Sequence, residues 1–175
     1  MMIKETSMAI QRLNHAVLHI RDLERSVEFY TSVLDFRVVF RLPDAAFLRA
    51  GGSTNDHDLG LFQLGADAGS SEAGVRTVGL FHLAWEVETL LELKDVKNRL
   101  IVAGALVNET DHGTTKSLYA QDPDGLEFEV CWLVPAELLP GIHPQVGATL
   151  DIDADIERFG AQTLSGIGIS TPFPR

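Results

Sequence analysis

The chain is organised around one stretch, Tyr119-Ala120-Gln121-Asp122-Pro123-Asp124-Gly125-Leu126-Glu127-Phe128-Glu129-Val130. It predicts a strand, a tight turn and a second strand, because proline presets φ in a turn and glycine accepts a positive φ. After the turn, charged and apolar residues alternate, as in a strand with one buried face. Glu127 and Glu129 then share a strand face. An inward-facing carboxylate is costly unless it is paired or bound to a metal, so partners are expected elsewhere in the chain.

Composition limits the classes of protein to consider. The chain has 175 residues, of which 45% are hydrophobic, and this suits one compact domain with a substantial core. It lacks a long apolar run and a signal-peptide pattern, so we expect no membrane span and no cleaved leader. Cys131 is the single cysteine, which favours a reducing cytoplasm. The formal net charge of −11 argues against nucleic acid and anionic membranes as partners.

Hydrophobic periodicity divides the chain into two similar modules and a tail. The first module, residues 12–64, predicts a strand over residues 13–20, a helix over residues 23–34 that begins after Asp22, and three further strands, the last over residues 57–64. A linker rich in glycine, alanine and serine covers residues 65–77. The second module, residues 78–133, repeats the same order, and its helix ends near Gly104. Residues 134–175 form a proline-containing C-terminal tail, predicted to wrap around the domain with one short helix.

The two modules share one feature, a histidine at the same point of the first strand. Leu13-Asn14-His15 opens the first module, and Leu80-Phe81-His82 opens the second. Pseudo-twofold packing of the modules is expected to bring both first strands together. Two imidazoles and one carboxylate, here from Glu129, are a ligand set for a non-haem Fe(II) site with open positions. The fold class predicted is α+β, with two paired βαβββ modules.

These motifs resemble the vicinal oxygen chelate superfamily, which includes glyoxalases, bleomycin-resistance proteins and dioxygenases. The resemblance is carried by the two histidine motifs, by residues 22–30 and 34–36, by the turn at 122–125, and by Glu129. It implies two modules whose sheets curl around a metal held by His15, His82 and Glu129. Strand alternation alone cannot choose between Glu127 and Glu129. The pattern of the superfamily assigns the ligand to Glu129, the fourth residue after Gly125.

Three more residues resemble those of the extradiol catechol dioxygenases. In that branch, a histidine at the position of His57 acts as acid–base catalyst, and residues at the positions of Tyr119 and His112 hold the catecholate. Each has a simpler interpretation. His57 could belong to a charged loop end beside Asp56, Tyr119 could be a strand residue with its hydroxyl at the surface, and His112 could be a solvent-exposed turn residue.

The resemblance implies ring cleavage of a small aromatic diol by O₂, with Fe(II) as the metal and Mn(II) or another divalent ion as the alternative. It also implies a homodimer.

A glyoxalase-like lyase or isomerase is one rival function, but such an enzyme usually adds a second glutamate in the last strand of the first module, where this chain offers only Asp58. A small-molecule-binding resistance module of the same fold is another, but such modules lack the metal triad. The dioxygenase branch usually has asparagine where this chain has Leu126, and many of its members have two such domains.

Overall fold

The structure is a computed structural model that describes residue 10, residues 12–74 and residues 76–166. The first module contains β1 (Ala16–Ile20), α1 (Leu23–Leu34), β2 (Arg37–Leu42), β3 (Ala45–Arg49) and β4 (Leu59–Gln63). The second contains β5 (Leu83–Glu86), α2 (Leu90–Val102), β6 (Leu106–Asp111), β7 (Thr115–Gln121) and β8 (Glu127–Leu133). The tail adds a short 3₁₀ helix (Ala136–Leu138) and α3 (Ile152–Phe159).

The strands form two separate four-stranded sheets with the same topology. The N-terminal sheet has the order β1-β4-β3-β2, and the C-terminal sheet has the order β5-β8-β7-β6. In each sheet the first strand is parallel to the last, and the other neighbours are antiparallel. The predicted α+β class and the two βαβββ modules are therefore confirmed.

Capping residues fix where the two long helices begin. The Asp22 side chain accepts a hydrogen bond from the Arg25 amide at 2.9 Å, and α1 spans the predicted residues. Thr89 and Glu92 form a capping box at the start of α2. Apolar residues at helical spacing then turn one side of each helix toward its own sheet.

Each helix covers one face of its sheet and leaves the other face open. Leu48, Leu59 and Leu61 belong to the cluster beneath α1, and Leu118 and Trp132 belong to the cluster beneath α2. Because neighbouring residues of a strand point to opposite faces, the residues between these core positions lie on the uncovered side, which we call the open face. The candidate site residues of both modules lie on or beside the two open faces.

The strands that follow the histidines are shorter than predicted. His15, His57 and His82 lie just before β1, β4 and β5 rather than inside them. In the C-terminal sheet Leu83 pairs with Phe128 in parallel register, so extending β5 upstream would soon reach the turn at 122–125. The turn residues cannot pair with an extended β5 because they are not in a strand. The chain before His82 therefore forms a loop instead.

The Asp-Pro-Asp-Gly turn also connects the two modules. The Asp124 carboxylate accepts hydrogen bonds from the Arg21 amide and guanidinium, both at 2.9 Å. The Tyr30 hydroxyl donates to Asp122 at 3.1 Å, and burial raises the pKa of both groups. One turn therefore closes the β7–β8 hairpin and fastens the second module to α1.

The described part of the tail, residues 134–166, packs against the second module, and the rest of the predicted tail lies outside the described residues. Helix α3 contacts α2, and the carbonyl of Thr163 accepts a hydrogen bond from the Trp132 indole at 3.1 Å. Among the described residues, none of the helices is long and apolar enough to cross a membrane.

Replacing Asp124 by alanine should lower the free energy of unfolding by about 1–3 kcal/mol, because Arg21 loses a carboxylate partner between the modules. Urea unfolding measures this change. Asp153→Ala is the matched control, since its ion pair with Lys94 is exposed and its loss should cost less than about 1 kcal/mol. Equal losses in the two variants would contradict the role assigned to the turn.

Candidate metal centre

His82 and Glu129 lie side by side on the open face of the C-terminal sheet. The distance from His82 Nε2 to Glu129 Oε2 is 3.1 Å. Two atoms that each lie about 2.1 Å from one metal ion, at right angles, would be about 3 Å apart. The pair therefore fits two adjacent ligands of a divalent metal, and its donor set of imidazole and carboxylate suits iron or manganese.

A serine in β7 holds the Glu129 side chain in place. Glu129 is only 9% exposed, and the fully buried Ser117 hydroxyl donates to its Oε1 at 2.5 Å. One carboxylate oxygen is thus fixed by Ser117 while the other faces His82. Sequence reasoning missed Ser117, although its position two residues before Tyr119 places it on the same strand face.

Tyr119 and His112 complete this half of the site. Tyr119 lies opposite Glu129 in the β7–β8 register, and its hydroxyl is 3.0 Å from His112 Nε2. Burial, and after it the charge of Glu129, raises the pKa of Tyr119. The phenol is therefore held protonated beside the His82–Glu129 pair.

His15 and His57 form a second pair, next to the N-terminal sheet. Their ring centroids are 4.5 Å apart, and the Phe47 ring meets His57 edge-on at 5.2 Å. His15 Nδ1 lies 2.8 Å from the Asn14 side-chain oxygen, and His57 Nδ1 lies 3.1 Å from Asp56. The two histidines therefore have polar neighbours on one side and an aromatic surface on the other.

Asp58 organises the loop that carries His57. Its buried carboxylate accepts hydrogen bonds from the Ala50 amide, the Ser53 hydroxyl and the Asn55 side chain at 2.7–2.9 Å. Asn55 also donates to the carbonyl of Asn14, beside His15. Because its oxygens are used in this way, Asp58 anchors the loop and does not replace the missing glutamate of the glyoxalase-like enzymes.

A single chain does not bring the predicted ligands together. Among the residues that the structure describes, no group of three His, Cys, Asp or Glu side chains could hold a metal ion. His15 therefore does not join His82 and Glu129 in one three-ligand group within the described part of a single chain. The assignment of His15, His82 and Glu129 as ligands stays a prediction.

The Arg21–Asp124 contact explains this arrangement. It brings the end of β1 to the start of β8, near His82, and β1 has five residues, about 16 Å of extended chain. His15, at the other end of β1, therefore lies far from the Arg21–Asp124 contact. A cavity of about 360 Å³ lies between β1 and β5, and its lining includes Ile20, Leu83 and Trp85.

The register of the two sheets shows which residue of the first module corresponds to Glu129 and could have supplied a second carboxylate. Val17 pairs with Gly60 as Ala84 pairs with Glu129, so Gly60 corresponds to Glu129. A Cβ atom at Gly60 would lie 3.4 Å from Val17 and 3.5 Å from Phe62, which are ordinary van der Waals distances. The N-terminal half of the site therefore supplies no glutamate at this point.

Residues 12–130 match the family described as the Glyoxalase/Bleomycin resistance protein/Dioxygenase superfamily. The chain belongs to this superfamily.

Among curated proteins, two dioxygenases are similar to the chain. It is 34% identical over 119 residues to a catechol-2,3-dioxygenase of Bacillus subtilis, a match that covers 67% of this chain and 40% of that protein. It is 36% identical over 120 residues to biphenyl-2,3-diol 1,2-dioxygenase 3 of Rhodococcus globerulus, covering 68% and 62%. The chain thus spans less than two thirds of the length of these relatives. A lactoylglutathione lyase of Neisseria meningitidis is 29% identical over 124 residues, covering 67% and 88%.

Solved structures show the same fold. A fosfomycin resistance protein of Listeria monocytogenes, complexed with Mn(II) and sulfate, has a TM-score of 0.57 at 19% identity, covering 76% of this chain and 98% of that one. A glyoxalase/dioxygenase from Nostoc punctiforme has a TM-score of 0.58 at 17% identity, covering 71% and 92%.

Cys131 lies in the same strand as Glu129 and should be unreactive in the folded protein. Burial, with the charges of Glu129 and Glu86, raises the pKa of its thiol to about 12. Because the thiolate is the reactive form, iodoacetamide should leave the folded protein unmodified between pH 7 and about pH 9 and should label the urea-unfolded chain fully, as mass spectrometry would show. Equal labelling of the folded and unfolded protein would show that the thiol is accessible and contradict this account.

Proposed function

We propose that the protein is a metal-dependent, extradiol-type dioxygenase that opens the ring of a catechol-like aromatic with O₂. The observation that carries the proposal is the His82–Glu129 pair at 3.1 Å, with the hydrogen-bonded Tyr119–His112 pair beside it. This set combines two metal-ligand groups with a protonated phenol that can hold a substrate oxygen. Two diol dioxygenases among the relatives support the same choice.

His15 is the third proposed ligand, and a second copy of the chain is proposed to supply it. The N-terminal open face around His15 is apolar and exposed, with Val17 52% and Phe40 56% accessible. The C-terminal open face is polar and carries the other two ligands. An exposed apolar face is a typical protein-contact surface. Placing the N-terminal sheet of one copy over the C-terminal sheet of the other would cover this face and complete the ligand set.

Fe(II) is the proposed metal, and Mn(II) is the alternative that the same donor set allows. When bound, the metal would acidify the hydroxyl of a chelating diol and pass electron density to O₂.

The protein residues would orient the substrate and move protons. Tyr119 would donate its hydrogen to a substrate oxygen, and His112 would fix the direction of the phenol. His57 would take a proton from the second hydroxyl and return it to the ring-opened product. Phe47 and Phe62, which meet edge-on at 5.7 Å, would form an apolar wall for the aromatic ring.

The rival functions fit this site less well. A glyoxalase-like lyase would be expected to use a second glutamate, and the corresponding position is Gly60. In a binding module without a metal, no cation would compensate for the desolvation of the mostly buried Glu129 carboxylate.

The experiment loads the protein anaerobically with Fe(II), adds catechols and O₂, and follows the yellow ring-opened semialdehyde. The wild-type protein should bind about one iron per chain and form the product. His57→Gln should keep the iron but turn over about 10²–10⁴-fold more slowly, because it lacks the proton-transfer group.

Two outcomes would contradict the proposal. Iron-loaded wild-type protein that is silent across a broad panel of catechols would exclude the activity. Loss of iron from His57→Gln would make His57 a ligand rather than a base.

A further inference from the structure

Residues 143–148 of the tail, which we call the strap, lie along the turn that carries His112. The Gln145 amide donates to the carbonyl of His112 at 2.9 Å, and the Asp111 amide donates to the carbonyl of Ala148 at 3.0 Å. Asp111 and Ala148 form an antiparallel bridge. The strap therefore continues the hydrogen bonding of the C-terminal sheet at the end of β6.

Gly113 allows the strap to approach the turn closely. Its φ is +79°, and a Cβ atom there would lie only 2.1 Å from the carbonyl oxygen of His143. Any other residue would be strained in this conformation and would push the strap away. The turn and the strap are therefore matched at the level of the backbone.

A buried charge cluster supports the same turn from the helix side of the sheet. The Lys116 side chain is 1% exposed and lies 2.7 Å from Asp111 and 3.1 Å from Asp155 of α3. Burial alone would raise the pKa of Asp111, but the hydrogen bonds from Lys116 and from the Gly113 amide lower it below its usual value. Asp111, the residue before His112, is thus fixed as a carboxylate between the strap and α3.

We propose that the strap is a positioning element of the metal centre, with the Gln145 amide as its main contact. By holding the backbone of His112, it keeps the imidazole 3.0 Å from the Tyr119 hydroxyl and so aims the phenol at the His82–Glu129 pair. The strap lies outside residues 12–130, the part that matches the superfamily. The inference rests on the proposed function only for the claim that Tyr119 holds a substrate.

The test compares Gln145→Pro with Gln145→Ala. Proline has no amide hydrogen, so Gln145→Pro removes the hydrogen bond to His112. Gln145→Ala keeps that bond and removes only the side chain with its hydrogen bond to Asp111, which both variants lose. In the metal-free protein, ¹⁵N NMR of the imidazoles should show that His112 Nε2 loses its hydrogen bond in Gln145→Pro and keeps it in Gln145→Ala. With Fe(II) and catechol, kcat/KM should fall about 10–100-fold in the proline variant and less than about threefold in the alanine variant.

A second variant is available if Gln145→Pro does not fold. Gly113→Ala would place a Cβ atom only 2.1 Å from the carbonyl oxygen of His143, so it should displace the strap and loosen the His112–Tyr119 hydrogen bond. Gly141→Ala is its control, because Gly141 also has a positive φ but has no atom within 4 Å of the added Cβ.

The outcomes separate this inference from the proposed function. An unchanged His112 signal in folded Gln145→Pro, or in Gly113→Ala should that variant be needed, would overturn the inference. A changed His112 signal together with a wild-type protein inactive on every catechol would support the positioning role and overturn the dioxygenase assignment.

Discussion

The buried carboxylate of Glu129 is the constraint on which the rest of the site depends. An ionised group at this depth loses most of its hydration, and nearby donors or a cation must compensate. The β7–β8 hairpin supplies one donor, the Ser117 hydroxyl, and the parallel register with β5 places His82 on the other side. The same register sets Tyr119 opposite Glu129. Two strand pairings, β5–β8 and β7–β8, therefore bring together the proposed ligand pair, the serine that supports it and a phenol.

The two modules share a topology but have different surfaces. The C-terminal open face holds carboxylates, a hydroxyl and a phenol, whereas the N-terminal open face holds phenylalanines around His15 and His57. The first surface suits a metal, and the second suits an aromatic ring. A site built from both would have the polar and apolar components that small-molecule sites combine. The Arg21–Asp124 contact keeps the two histidine-bearing ends apart in one chain, which is why the account requires a second copy.

Much of the fold could be predicted from the sequence, because its signals are local. The N-cap residue Asp22 and the helical spacing of the apolar residues after it predicted both ends of α1. The turn at 122–125 predicted the β7–β8 hairpin. The pairing of His82 with Glu129 rather than Glu127 agrees with the motif, although alternation could not decide between two residues of one face. Ser117, the loop around Asp58 and the strap at Gln145 were not found, because each depends on contacts between distant parts of the chain. The separation of His15 from His82 depends on how the modules pack, which local patterns do not determine.

The central claim is that His15 of one copy completes the centre formed by His82 and Glu129 of another. The most direct measurement is the iron content of a mixed dimer, prepared by co-refolding His15→Ala with Glu129→Gln chains. Each variant alone should bind no iron, because every site lacks a ligand. In the mixture, half of the dimers carry both variants and one of their two sites is intact, so iron should recover to about a quarter of the wild-type content. A mixture that stays free of iron, while the wild-type protein binds it after the same treatment, would contradict the account.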